Sequence, residues 1–314
     1  MDLIFWVAFL LFIGYFLALD LGVFHKSAHI VLPREALAWT TVWVSLAILF
    51  GIGVFLWRGS EVGIQWFTGY VIEYSLSVDN VFVFALVFAA FAVPRELQHR
   101  VLFWGVVGAL VMRFGLILVG ASLIESYHWI IYIFGAFLVF TGLRMLRVSS
   151  EHTAHPENNP LVRFAMRHMR VVSEFHGQKF FIPTAAGRAA TPLFLALIAV
   201  ETTDLIFAVD SIPAIFAITT DPFIVFTSNA FALLGLRSLY FLLADAADRF
   251  RYLKVGLALV LIFVGGKMLL SEVFKIDPVP SLAVIVAIIG GSVVASLWAN
   301  RRDAKMASNA VDHS

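Results

Sequence analysis

The chain has 314 residues, is 61% hydrophobic and only 14% charged, and carries a formal net charge of +1. A soluble domain is about 25% charged, so this composition, with a mean hydropathy of +0.92, excludes an ordinary soluble domain and argues for an all-α polytopic membrane protein. The absence of cysteine excludes disulfides, Fe–S clusters and thiolate metal sites.

Nine apolar runs are long enough to be read as transmembrane helices, since a span needs about 20 residues. They fall at about 3–23, 37–57, 66–92, 101–123, 128–146, 192–217, 223–243, 253–271 and 280–299. The first lacks the basic flank of a cleavable signal and is read as a span. Trp39, Trp57, Trp66, Trp129, Tyr252 and Trp298 sit near run ends, as interfacial anchors do.

Orientation follows from the basic residues. Seventeen of the 22 Lys and Arg fall on one side of a nine-span topology, and only Arg58, Lys267 and Lys275 on the other. The positive-inside rule then expects the N-terminus outside and the C-terminus in the cytoplasm.

The organisation expected is two N-terminal helices (1–57), a three-helix unit (66–147), a cytoplasmic loop (148–190), a second three-helix unit (192–271), a last helix (280–299) and a tail (300–314). Leu110-Val-Met-Arg113 and Leu234-Gly-Leu-Arg237 match in the second helices of the two units. Phe140-Thr-Gly142-Leu-Arg144 and Phe263-Val-Gly265-Gly-Lys267 match in the third. Three spans per unit is odd, so the copies would be inverted, an arrangement that places a site at the repeat interface in transporters. In the loop, Leu161, Phe164, Ala165, Met169 and Val172 recur at helical spacing among Arg163, Arg167 and Arg170, the pattern of an amphipathic helix on the membrane surface. A small hairpin is expected around Gly187. The polar tail is expected to be disordered, and Arg144 and Lys267 to reach for headgroups.

The chemistry is concentrated in two acidic segments, Glu73-Tyr-Ser-Leu-Ser77-Val-Asp79-Asn80 and Glu201-Thr-Thr-Asp204-Leu-Ile-Phe-Ala-Val-Asp210-Ser211-Ile-Pro213. Overlaid, Glu73 meets Asp204, Asp79 meets Asp210 and Asn80 meets Ser211. A carboxylate at mid-membrane costs roughly 2.5–3.5 kcal/mol on insertion scales and marks a functional candidate. On a regular helix Glu73, Ser77 and Asn80 share a face and Asp79 lies about 100° away. A helix break at Pro213, which has no N–H to donate, would help bring all carboxylates to one point.

Five carboxylates (Glu73, Asp79, Glu201, Asp204, Asp210) face two arginines at depth, Arg113 and Arg237. The excess is negative, so the site should take a cation. All-oxygen donors, with Asn80, Ser77 and Ser211 in support, favour Mn²⁺, Mg²⁺ or Ca²⁺. Arg113 and Arg237 are read either as gating partners of the carboxylates or as static ion pairs. Asp20, His25 and His29 form a candidate cytoplasmic access site, against the plainer reading of solvated histidines at a helix end. No Walker, dinucleotide, HExxH or hydrolase-elbow motif occurs. Neither an enzyme, an organic cofactor nor a nucleic-acid partner is expected.

The two acidic segments, together with Thr219-Thr-Asp221-Pro-Phe-Ile-Val-Phe-Thr-Ser228-Asn229 and Leu234-Gly-Leu-Arg-Ser-Leu-Tyr240, resemble the TerC family, in particular its Alx-like branch. The resemblance runs from about Asp20 to Trp298. It implies a bacterial inner-membrane protein of the LysE-like transporter superfamily, linked to manganese export and tellurium resistance. The implied site positions are Glu73, Asp79, Asn80, Glu201, Asp204, Asp210 and Ser211. Tellurite is an oxyanion, which an acidic pocket repels, so a tellurium phenotype would be indirect.

The expectation is a secondary transporter exporting Mn²⁺, with proton coupling and the bilayer as its solvent. Two alternatives stay open: an exporter of another divalent cation such as Ca²⁺, and a membrane scaffold or stress-response protein without transport. The sequence leaves the oligomeric state open.

Overall fold

A computed structural model describes residues 3–19, 31–127, 129–147, 159–184, 187–243, 252–270 and 278–311. In a bilayer core no water is available for exposed backbone groups, so an apolar run closes its hydrogen bonds within itself as a helix. Each expected span coincides with one: α1 (Leu3–Leu19), α2 (Pro33–Arg58), α3 (Ser60–Ala90), α4 (Arg95–Ser126), α5 (Ile130–Arg147), α7 (Pro192–Phe216), α8 (Pro222–Leu243), α9 (Leu253–Leu269) and α10 (Pro278–Val311). Among the described residues, seven of these are long and apolar enough to cross a membrane alone. The described parts of α1 and α9 each have 17 residues.

α8 is the hub. Every residue from Phe223 to Tyr240 is buried, with α3, α2 and α4 packed around it. α4 lies on α7, α3 on α7, and α5 on α9. The α5–α9 contact is made at backbone distance. A Cβ on Gly142 would lie 2.7 Å from the Ala258 carbonyl oxygen, and one on Gly265 2.7 Å from that of Gly135. Without a hydrophobic driving force between helices in lipid, such small-residue contacts hold the pair through close packing.

An aromatic cluster joins α1, α2, α3 and α8. Trp66 is fully buried, stacks on Tyr70 at 5.5 Å, and donates its indole N–H to Thr227 Oγ1 at 3.0 Å. Phe50 and Phe231 pack against it, and Phe9 packs against both of them. At one end of the bundle Arg58 pairs with Asp221 at 3.0 Å, and Asp221 Oδ1 accepts from the Phe223 N–H at the start of α8.

Three local expectations are corrected. α7 continues through Pro213 without a break. Pro213 sits in the last turn, where few residues follow it, and its own carbonyl accepts from the Ala217 N–H. The tail, expected to be disordered, continues α10 to Val311; Ala, Arg, Lys and Met are good helix formers. Lys267 donates to Ser281 Oγ of α10 at 2.9 Å rather than leaving the bundle for a headgroup.

The loop helix α6 (Pro160–His168), capped by Asn159 Oδ1, buries Val162 and Ala165 toward α7 and leaves Leu161, Phe164 and Met169 exposed. Of the apolar residues expected on one face, Ala165 packs inward and Leu161, Phe164 and Met169 stay on the surface. The hairpin is present, as strands β1 (Phe181–Thr184) and β2 (Gly187–Ala190), with Gly187 at φ 113°.

Candidate functional site

The site is built around Arg113, midway along α4 and fully buried. A guanidinium cannot lose its proton, so at this depth it must find anions. Two helices supply them. From α7, Asp204 accepts both arms of a fork, from Nε at 3.1 Å and from Nη2 at 2.9 Å. From α3, the fully buried Glu73 carboxylate accepts from Nη1. Nη1 also reaches Asn229 Oδ1 of α8 at 3.2 Å and Ser211 Oγ of α7 at 3.4 Å. A planar fork matched to a carboxylate is the geometry that favours arginine over lysine. One side chain thus ties together α3, α4, α7 and α8.

The acidic and polar residues divide into three groups. Glu73, Asp204 and Ser211 are gathered directly on Arg113. Ser77 and Asn80 lie one and two turns beyond Glu73 on the same face of α3 and are buried, at 0% and 2% exposure. Glu201 lies one turn before Asp204 on α7. Its carboxyl packs against the backbone of α4 at Gly108, where a Cβ would overlap it.

Asp79 and Asp210 belong to α3 and α7, but their side chains lie outside the described residues. Asp20, His25 and His29 lie outside them as well. Arg237 is buried in α8, beside a small void lined by Trp43, Phe103, Val106 and Leu234.

Several buried atoms in this region have no hydrogen-bond partner among the described residues: Glu73 Oε2, Glu201 Oε2, Asn80 Oδ1, Ser77 Oγ and Asn229 Nδ2. Buried polar groups are normally satisfied. Four of the five are oxygens able to accept or coordinate. Glu73, Glu201 and Asp204 together carry three formal negative charges against the single positive charge of Arg113. Yet among the described residues no three His, Asp or Glu side chains converge as a metal-ligand set. Arg113 occupies the point between Glu73 and Asp204 that a ligating cation would take. The arrangement is an acidic site closed by an internal cation.

Asn229 was not singled out by sequence reasoning. Its signal was available: an amide in the middle of α8, a helix buried along nearly its whole length, must have a polar partner.

Fold and site together define a helical integral membrane protein with a charged cluster at its centre. The chain belongs to the TerC family: the family model described as integral membrane protein TerC family matches residues 58–304. It is 51% identical over 296 residues to the uncharacterised membrane protein STKORF319 of Myxococcus xanthus, covering 94% of this chain and 92% of that one. It is 46% identical over 310 residues to Alx of Escherichia coli (strain K12), which is named as a candidate membrane-bound redox modulator, covering 96% of both chains. A membrane protein of Rickettsia bellii is 38% identical over 292 residues, covering 93% of this chain and 96% of that one. No solved structure matches the chain.

Proposed function

We propose that this protein is a secondary transporter that exports a divalent metal cation, Mn²⁺ first among candidates, in exchange for protons. The observation that carries the reading is the buried carboxylate pair of Glu73 and Asp204, held by Arg113 and bordered by oxygens of Glu73, Glu201, Asn80 and Ser77 that have no hydrogen-bond partner among the described residues. A hard divalent cation takes oxygen ligands of this kind. The proposed ligands are Glu73, Asn80, Glu201 and Asp204, with Asp79 and Asp210 from the same two helices.

In this reading Arg113 holds the carboxylates while no ion is bound and swings away as the ion enters. Protonation of the carboxylates on the far side releases the metal. Arg237 would serve the second half of the molecule in the same way.

An inverted repeat underlies the proposal. Exchanging α3 with α7, α4 with α8 and α5 with α9 maps the principal contacts onto one another: α3 on α8 becomes α7 on α4. In α5 and α9, Gly142 against Ala258 exchanges with Gly265 against Gly135 at the same sequence offset. Glu73 and Asp204, equivalent in the repeat, meet on Arg113. The basic side of the molecule is assigned to the cytoplasm of a bacterial inner membrane by charge bias.

The relatives' name, redox modulator, fits by one route. A carrier of a redox-active cation shifts redox balance without needing a thiol, and this chain has no cysteine. The reading gives the chain no enzymatic chemistry, and a link to tellurium resistance would be indirect.

The experiment is ion flux into proteoliposomes with a pH gradient, comparing wild type with Glu73→Gln, Asp204→Asn, Asp79→Asn and Asp210→Asn. Mn²⁺ flux that follows the gradient and is lost in the variants is the expected result. Ca²⁺ outcompeting Mn²⁺ would change the substrate. No wild-type flux with either gradient would favour the membrane-scaffold reading instead.

A further inference from the structure

At the end of the bundle where α3 turns into α4, a cavity of about 540 Å³ opens between α2, α3, α4 and α8. Its wall includes Ala85, Phe88, Ala89, Gln98 and Tyr240, with Arg95 at the α4 end. At about 30 Å³ per water it could hold roughly 18 waters, ample for a cation with its hydration shell.

Three of the four helices that hold the charged cluster, α3, α4 and α8, also line this cavity, and on the same faces. With 100° per residue, the stripe of α3 carrying Glu73, Ser77 and Asn80 continues through Phe84 to Phe88. On α8, Asn229 continues through Leu233 and Leu236 to Tyr240. On α4, Arg113 leads back through Ala109, Val106 and Leu102 toward Gln98.

Between the cavity and the cluster the stripes are apolar and fully packed: Phe84, Leu102, Leu233 and Leu236 are each at most 3% exposed. From Phe88 to Asn80 is eight residues, about 12 Å at 1.5 Å per residue. At the cavity floor Phe88 and Tyr240 meet edge to face at 5.4 Å. Tyr240 Oη donates to Gln98 Oε1 at 3.0 Å, and Gln98 Nε2 donates to the Val93 carbonyl at 3.2 Å in the α3–α4 turn. This chain of bonds ties the end of α8 to the turn.

We infer that this cavity is the cytoplasmic vestibule of the cation path and that Phe84, Phe88, Leu233, Leu236 and Tyr240 form its inner gate, latched by the Tyr240–Gln98 hydrogen bond. The inference rests on the transport reading for what passes, and on packing alone for where the barrier stands. Opening requires the end of α8 to part from α3. Breaking the latch favours that parting without touching the carboxylates.

Because the chain has no cysteine, a single introduced thiol reports accessibility without background. In oriented vesicles, Ala89→Cys should react rapidly with a membrane-impermeant methanethiosulfonate added from the basic side, and slowly from the other. Ser77→Cys should be protected from the basic side.

Adding Tyr240→Phe to Ser77→Cys removes the hydroxyl, and with it the latch to Gln98. It should raise labelling roughly three- to tenfold, the effect on an equilibrium of losing one neutral hydrogen bond. Tyr240→Ala should raise it further. Ala89→Cys in each background checks that the bundle is intact.

Ala89→Cys reacting from the wrong side or not at all would overturn the vestibule. Ser77→Cys unchanged by Tyr240→Phe would overturn the latch. Labelling needs no transport, so a protein that carries no Mn²⁺ yet labels as stated refutes the transport reading and keeps the gate.

Discussion

Arg113→Met is the most informative single change. Methionine approximates the length of the arginine stem and removes the charge. In the structure it would delete the fork to Asp204 at 2.9 and 3.1 Å and the ion pair to Glu73, and leave two buried carboxylates side by side. Removing one partner of a buried ion pair costs about 3–5 kcal/mol. At roughly 2–4 °C per kcal/mol for chains of 150–250 residues, the melting temperature should fall by on the order of 10 °C.

The same loss vacates the point between the carboxylates. A divalent cation can then take the place of the guanidinium. At a hundred times its Kd, a ligand that binds only the folded state contributes about 2.7 kcal/mol, more than half of the loss. The assay is intrinsic tryptophan fluorescence during heating, in detergent, with and without MnCl₂.

Arg113→Met should be cation-dependent, and wild type much less so, because its own arginine competes with the ion. Arg113→Met with Glu73→Gln and Asp204→Asn should recover most of the stability and lose the cation response. An Arg113→Met protein with wild-type stability and no response to Mn²⁺ would refute the account of this cluster. An equal Mn²⁺ response in wild type and Arg113→Met would refute the competition.

Two further outcomes are expected. Gly142→Leu forces a side chain against the Ala258 carbonyl and Ile262 and should destabilise the α5–α9 pair by about 1–3 kcal/mol or more, as overpacking does, read as a lower melting temperature. Arg58→Gln should change stability by less than about 1 kcal/mol in the same melting assay, since its pair with Asp221 is partly exposed and such pairs contribute little; a larger loss would mean that this contact holds the bundle end together.

The sequence determined the membrane class and the position of nearly every helix. The reason is local: each apolar run must satisfy its own backbone hydrogen bonds, so its length and composition suffice. It also marked Glu73, Asp204 and Arg113 as out of place, because the cost of a charge at depth is read one residue at a time. Where Pro213 and the tail were misread, helix continuity outweighed a single missing hydrogen bond in one case and polar composition in the other.

Pairing was the work of tertiary structure. Nothing in α4 alone says that Arg113 takes Asp204 with two arms and Glu73 with a third nitrogen, or that Asn229 of α8 completes the ring. Nor does periodicity tell which face of α6 is inward: Val162 and Ala165 are, while Leu161 and Phe164 are not. Burial of an apolar residue is satisfied by lipid or by protein alike, and only the helices packed around it decide which. A buried charge accepts only a partner of opposite sign within hydrogen-bond reach, and that partner lies 40 and 91 residues away along the chain.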